Sequence, residues 1–308
     1  MKTDKAMNLH ITAMLIAILS LVTTLTGLFY RTGGKAYAVK NQYGDAVKIC
    51  GNGLYEHDSY FMAAIFRGTD FTILCIAIPL LILALVLDRK KRTLKSKLFL
   101  TSVIALFTYY SASIAFGITY NFLHLVYIAL FSLSFFGLIL AFADIDSSLL
   151  ANSVIGKLPR KGINIFLVFT GVALIVAWLP DIITSLTQHR SLQMIEVYTT
   201  QITYVLDMGI VGPAALICLF LLRRQNGTGY ILLAILLTVC TVIGVMLPIQ
   251  TIFQIAAGIE LPVGAIVTKV ASFVVLALFA LYFDIKLFKS IQVSAQPYLY
   301  NQNNYHAH

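Results

Sequence analysis

The chain has 308 residues and a formal net charge of +9; 59% of its residues are hydrophobic, and only 11% are charged. Soluble domains average about 45–50% apolar and about 25% charged residues, so this composition excludes an ordinary soluble globule and indicates burial in a lipid bilayer. The charge does not indicate nucleic-acid binding, because the lysines and arginines occur in short runs between apolar segments, where they set membrane topology.

The first element is predicted to be a membrane helix. After a short polar start, residues 10–30 are apolar over about the 20 residues that a bilayer requires. A cleaved signal peptide is the alternative, because small residues follow at 36–38, but the apolar core of a signal is usually only about 7–15 residues long. We therefore expect residues 1–30 to form a cytoplasmic start and a retained first span.

The segment 31–69 is the longest polar stretch and is predicted to be an outer loop. Its sequences AYAVK and DAVKI alternate apolar and polar residues and include β-branched ones, and Gly44-Asp45 lies between them. This pattern is typical of a β-hairpin. We expect a small hairpin outside the membrane, where it is free to meet a ligand or a partner protein.

Seven further apolar runs follow, each about as long as a membrane span. They cover residues 70–87, 98–117, 123–142, 163–180, 205–222, 230–247 and 263–283. The sequence therefore predicts an all-α polytopic membrane protein of eight transmembrane helices, with TM2–TM4 in 70–143 and TM5–TM8 in 163–289. Residues 144–162 are predicted to form a cytoplasmic loop, and 290–308 a disordered cytoplasmic tail.

The basic residues predict the orientation of these spans. Eight spans place both termini on one side, and the dense run DRKKRTLKSK after the second span falls on that side, as do the basic pairs after the sixth and eighth spans. Positive charge accumulates on the cytoplasmic side of a membrane. We therefore expect a cell-membrane protein with both termini in the cytoplasm and the hairpin outside.

The two halves of the chain share a layout. In each half an aspartate, Asp70 or Asp207, lies near the outer start of the second span, and a proline, Pro79 or Pro213, follows within that span before a basic inner turn. Four spans in each half would make the copies parallel, related by an axis along the membrane normal. The spacing from aspartate to proline differs between the halves, so chance similarity between apolar helices is the alternative.

Polar side chains in or near the spans are candidates for a functional site, because ionisable groups are costly to bury in hydrocarbon. Lys269 either reaches outward to the interface or pairs with Asp207 or Asp70. Arg67 and Asp70 are spaced to pair on one helical face, and Asp207 also fits an ordinary acid at a helix start. His124 is equally typical of a membrane interface. The full candidate set for binding a solute is Arg67, Asp70, Tyr110, His124, Asp207 and Lys269.

No motif for a metal site, a cofactor or a familiar enzyme class occurs in the sequence. The four cysteines form no C-x-x-C pair, and the H-E-x-x-H, G-x-S-x-G and P-loop patterns are absent. We expect no cofactor, with the lipid bilayer as the surrounding partner. The leading hypothesis is a protein that binds or transports a small solute through an outward-facing polar pocket. The alternatives are a sensor or assembly partner that acts through the outer loop and a membrane enzyme on lipid or quinone substrates.

Three segments carry a resemblance to a known family. The sequences GLYEHDSYF, GTDFTILCIAIPLL and VLDMGIVGPAAL resemble a family of uncharacterised bacterial multi-pass membrane proteins. These proteins share an outer loop that ends in a G-L-Y segment before an Asp-led second helix, and the likeness extends over most of the chain. The resemblance implies the fold class and adds no activity, cofactor or site residue.

Overall fold

The structure is a computed structural model that describes residues 2–154, 158–262, 264 and 270–292. It is mostly helical and contains one two-stranded sheet. Two of the long helices, α2 and α7, each contain a short π-helical segment. The helices are α1 (Lys2–Phe29), α2 (Tyr60–Lys91), α3 (Leu94–Gly117), α4 (His124–Ala143), α5 (Ser147–Ser153), α6 (Arg160–Gln188), α7 (Ile202–Arg223), α8 (Gly227–Ala256) and α9 (Ser272–Ser290).

Seven helices in the described part of the chain are long and apolar enough to cross a membrane, namely α1, α2, α3, α4, α6, α7 and α8. This finding fits an integral membrane protein and confirms the predicted class of helical multi-pass membrane protein. The predicted eighth span, 263–283, lies partly outside the described residues. Its described part belongs to α9, which runs along α8 and carries charged residues in its second half.

The observed helices extend beyond the predicted spans. α2 begins at Tyr60, because the Ser59 side chain caps it by accepting a hydrogen bond from the Met62 N–H at 3.1 Å. Arg67 and Asp70 therefore lie inside the helix and not at its start, which corrects the predicted boundary at residue 70. α8 likewise continues through Pro248 to Ala256, past the predicted end at 247.

Helices α3 and α8 form the centre of the bundle. In the apolar 18-residue stretch of each candidate span, 72% of α3 and 61% of α8 is buried inside the protein. The buried share in the other five candidate spans is 28–44%. The two central helices contact each other, and α2 also packs closely on α8. Large apolar side chains such as Leu125 and Phe169 on the peripheral helices are exposed, as a lipid-facing surface requires.

A β-hairpin lies at one end of the bundle, as predicted. β1 (Tyr37–Lys40) and β2 (Ala46–Ile49) are antiparallel, and Tyr37 lies opposite Ile49. The Asn41 side chain closes the turn, since its Oδ1 accepts hydrogen bonds from the N–H groups of Tyr43 and Asp45, both at 2.9 Å. Gly44 has φ +89°, which suits glycine in a tight turn.

The first and last described segments meet the opposite end of the bundle. His10 Nε2 in α1 is 2.8 Å from Asp88 Oδ2 beside the α2–α3 turn. The Gln292 N–H after α9 donates to the Ser153 carbonyl of α5 at 2.9 Å. The basic turn after Asp88 therefore lies at the same end as both of these segments, away from the hairpin.

We expect the close crossing of α2 and α8 to tolerate no added side-chain atom at Gly68. A Cβ there would lie 2.6 Å from the Gln250 Cα and 3.0 Å from its nitrogen, so Gly68→Ala must shift backbone and should cost ~1–3 kcal/mol of unfolding free energy. Gly209→Ala is the matched control, because no atom lies within 4 Å of its added Cβ. Denaturation in detergent micelles measures the unfolding free energy of both variants. An equal loss in Gly68→Ala and Gly209→Ala would contradict the close packing of α2 on α8 at Gly68.

Candidate functional site

Asp70 lies in a buried polar cluster between α1, α2 and α3. The Tyr55 hydroxyl donates to its Oδ2 at 2.5 Å, and Tyr110 of α3 lies near the carboxyl group. The Tyr110 and Thr23 hydroxyls share a further hydrogen bond at 3.2 Å. Gly27 of α1 permits this close approach, because a Cβ at that position would overlap the Asp70 carboxyl group. Three parts of the chain besides α2 thus converge on Asp70.

Asp207 lies in a second buried network, between α3, α6 and α7. The Tyr109 hydroxyl donates to its Oδ1, and the Trp178 Nε1–H donates to its Oδ2, both at 3.0 Å. The Trp178 ring stacks on Tyr204 with ring centroids 4.6 Å apart, and the Tyr204 hydroxyl donates to Asp181 at 2.9 Å. Within the described residues the hydrogen-bond partners of Asp207 are therefore neutral, and the Trp178–Tyr204 stack leads from them to Asp181 of α6.

The two aspartates share a local backbone form. A π-helical segment, Ile73–Ala77, closely follows Asp70, and another, Asp207–Val211, begins at Asp207. In each helix a proline stands just after the π segment. π segments inside α-helices occur frequently at functional sites. The sequence shows the acid and the proline of each helix, but it gives no signal for the wider turn between them.

The two networks meet on consecutive residues of α3. Tyr109 hydrogen-bonds to Asp207, whereas Tyr110 hydrogen-bonds to Thr23 of α1 and lies near Asp70, because consecutive side chains on an α-helix point about 100° apart. Tyr110 was a predicted site residue and Tyr109 was not. The sequence signal that could have identified Tyr109 is the pair of adjacent tyrosines in an apolar span, because a buried tyrosine hydroxyl requires a hydrogen-bond partner.

Arg67 lies near Asp70 but takes other partners. Its Nη2 donates to the Asn52 carbonyl at 3.2 Å and lies 3.7 Å from the Cys50 sulfur. No ion pair between Arg67 and Asp70 occurs in the described structure. The arginine therefore ties the segment after the hairpin to α2, and the i, i+3 pairing expected from spacing does not form.

The remaining predicted candidates are spread out. His124 begins α4, where its half-buried ring lies 5.4 Å from the ring of Tyr120. Lys269 lies outside the described residues. The structure thus brings together Asp70 and Tyr110, with Arg67 close by, and it places Asp207 in a separate network.

A cleft of about 430 Å³ opens at the hairpin end of the bundle. It lies between β2, the start of α2, the 192–196 segment and the turn after α8. None of the five predicted candidates that the structure describes lines it. Its volume falls within the range of about 300–1,000 Å³ that is common for small-molecule sites. The polar side chains in its wall are Asn41, Asp45, Lys48, Tyr60, Gln193 and Glu196.

Opposite charges line this cleft without forming a direct ion pair. The Lys48 ammonium lies 4.0 Å from the centroid of the Tyr60 ring, in a cation–π contact. The Glu196 carboxylate accepts a hydrogen bond from the Ser59 hydroxyl. Among the described ion pairs, none joins Lys48 to Glu196 or to Asp45. Charges of both signs are therefore present in the wall of the cleft.

Glu196 has an unusual backbone conformation. Its φ of +45° lies in the left-handed region, which few non-glycine residues adopt. The hairpin holds it there, since Asn41 Nδ2 donates to the Glu196 carbonyl at 2.8 Å. Burial raises the pKa of the Glu196 carboxyl group, and the hydrogen bond from Ser59 acts in the opposite direction. Backbone strain of this kind is concentrated at functional sites.

Asp58 lies beneath the cleft, next to Ser59, and is fully buried. Its Oδ1 accepts hydrogen bonds from the Thr119 N–H at 2.9 Å and the Tyr198 hydroxyl at 3.0 Å, whereas Oδ2 has no partner among the described atoms. Burial raises its pKa to about 7, and the hydrogen bonds from Thr119 and Tyr198 oppose this rise. Because residue 58 stands in a polar stretch, its sequence position gave no sign of burial.

The fold and these sites fit the class of helical multi-pass membrane proteins. At one end of the bundle lies a cap, by which we mean the β-hairpin and the helix connections around the cleft. No family model, curated protein or solved structure matches the chain. Within the described residues, no group of three or more histidine, cysteine, aspartate or glutamate side chains could hold a metal ion.

We expect Asp58 to make the protein less stable as the pH rises from about 4 to about 7. The carboxyl group binds its proton more tightly in the folded chain, so its contribution is greatest below the unfolded pKa and declines through about 7. A pKa raised from 3.8 to about 7 corresponds to roughly 4 kcal/mol. Melting temperatures in micelles between pH 5 and 8 should therefore change less with pH in Asp58→Asn, whereas the exposed control Glu260→Gln should keep the parent's slope. An unchanged slope in Asp58→Asn would contradict this account.

Proposed function

We propose that the protein spans the cell membrane and binds a small polar solute in the cleft at its extracytoplasmic end. The cleft is the observation that carries the proposal, because it is concave, of ligand size and lined by opposite charges that do not pair directly. In the proposed orientation the cleft faces outward, and its lining differs from the candidate residues expected from the sequence. Membership of the resembled bacterial family stays a proposal that rests on the three quoted segments.

We infer eight spans with both termini in the cytoplasm. The contacts His10–Asp88 and Ser153–Gln292 support this number, because the first and last described segments then share one end of the bundle. In this arrangement α9 is the eighth span. The basic turn after Asp88 lies at the same end, and the positive-inside rule assigns that end to the cytoplasm.

We also infer that the two halves are parallel copies. α2 and α7 correspond, since each carries a buried aspartate, a π segment and then a proline. α3 and α8 correspond as the central helices that follow the basic inner turns. An axis along the membrane normal between α3 and α8 would relate the halves.

Ligand binding in the cleft is tested with a thermal-shift screen of the purified protein against small polar solutes. A solute that raises the melting temperature of the parent should have no effect on Ala46→Trp, whose larger side chain fills the cleft, but should still stabilise Tyr43→Trp on the exposed hairpin turn. An impermeant thiol reagent on intact cells should label Gln193→Cys and leave Lys91→Cys unlabelled, with the parent as the blank. Stabilisation that survives in Ala46→Trp, or labelling of Lys91→Cys from outside, would refute the corresponding part of the proposal.

A sensor or assembly partner that acts through the outer loop is the alternative, and the same cleft supports it, because the hairpin forms one of its walls. Solute uptake separates the two functions. A sensor requires binding without uptake into proteoliposomes, whereas a transporter requires both.

Proton-coupled transport is a second candidate function, favoured by the two π segments beside Asp70 and Asp207. Acids inside the membrane mark proton pathways in pumps and transporters. If the screened solute is transported, Asp70→Asn and Asp207→Asn should each abolish uptake driven by a pH gradient while binding in the cleft persists. Emission of Trp178, the chain's single tryptophan, should change in Asp207→Asn and stay unchanged in Asp70→Asn, which verifies the separate sites. Undiminished uptake in both variants would exclude this function.

A further inference from the structure

We propose that the ligand of the cleft is a small zwitterion, whose ammonium group binds the Glu196 carboxylate and whose anionic group binds the Lys48 ammonium. The inference rests on the proposed solute-binding function and names the chemical class of the solute. It is argued from the two charged walls, the apolar lining between them and the volume.

One wall of the cleft offers a fixed positive charge. Lys48 projects from β2 over the Tyr60 ring, and the Tyr60 hydroxyl donates to the Ala257 carbonyl at 2.9 Å, which fixes the ring. A cation–π contact orients an ammonium without neutralising it. The three N–H donors of the exposed lysine therefore stay available for an anionic group.

The facing segment offers negative charge. Glu196 is fixed at both ends, its carbonyl by Asn41 and its carboxylate by Ser59, and the Ser59 hydrogen bond uses only one carboxylate oxygen. Asp45 adds a second carboxylate to the same cleft. Two acids and one base favour a ligand that carries an ammonium group, and they disfavour a simple anion.

Apolar side chains lie among these charges and suit a short hydrocarbon segment. A simple cation would leave Lys48 without an anionic partner and would be repelled by it. The volume of about 430 Å³ admits only a small molecule. A chain with opposite charges at its two ends satisfies both walls at once. The apolar lining residues are Ala46, Val47, Phe61, Leu192, Ile195 and Ile259.

The test uses isothermal titration calorimetry on the full chain in detergent micelles. The probes are the straight-chain ω-amino acids from glycine to 6-aminohexanoate, each with its matched amine and its matched carboxylic acid. We expect one chain length to bind saturably, and its two singly charged analogues to bind at least ~10-fold more weakly, because each forgoes a charge-assisted hydrogen bond.

Two substitutions assign the charges. Lys48→Met should weaken zwitterion binding ~10-fold or more without weakening the amine, whereas Glu196→Gln should weaken both. Lys48→Arg keeps the positive charge and should stay within a few-fold of the parent. Lys35→Met and Glu56→Gln, charges of the same cap outside the cleft, are the matched controls and should bind as the parent does. Melting temperatures verify that each variant is folded.

Several outcomes would overturn the inference. They are an amine that binds as tightly as its zwitterion, an unchanged zwitterion affinity in Lys48→Met, and no saturable binding at any chain length. If a solute of another class binds and Ala46→Trp blocks it, the zwitterion is wrong and the solute-binding function stands. If no solute of any class binds the parent, the proposed function itself fails.

Discussion

A carboxyl group inside an apolar bundle needs hydrogen-bond donors from the protein, because hydrocarbon offers it no water. Asp70 accepts a hydrogen bond from Tyr55, and Asp207 accepts hydrogen bonds from Tyr109 of α3 and Trp178 of α6. These bonds join α2 to the segment after the hairpin, and they join α7 to α3 and α6. Apolar packing alone gives helices little orientation in a membrane, so these polar contacts specify how the bundle is assembled.

The cap is held together mainly by polar contacts between helix connections. These connections are distant in sequence and lie at the hairpin end of the bundle. Asp58 links the start of α2 to the α3–α4 connection and the α6–α7 connection, and the Ser59–Glu196 hydrogen bond lies directly above it. Because these contacts join three connections, α1–α2, α3–α4 and α6–α7, the cap presents fixed charges at the cleft. The binding proposal follows from this arrangement.

Hydropathy and alternation were enough to predict the helical class and the hairpin. They marked Asp70 and Asp207 as candidates but left open an ordinary position at a helix start, whereas both side chains are buried. Helix boundaries were predicted less well, because a capping serine at 59 and continuation through Pro248 depend on local hydrogen bonds and not on hydropathy. The cleft could not be predicted, since Lys48, Tyr60 and Glu196 are brought together only by tertiary contacts. Asp58 was missed for the same reason, because its burial comes from the α3–α4 and α6–α7 connections that cover it.

The adjacent tyrosines on α3 have a mechanical consequence. Tyr109 and Tyr110 share one rigid stretch of backbone, so the position of the central helix sets both hydroxyl groups at once. Tyr109 is joined to α7 through Asp207, and Tyr110 is joined to α1 through Thr23. A single turn of α3 therefore acts as a brace that holds neighbouring helices on two of its sides.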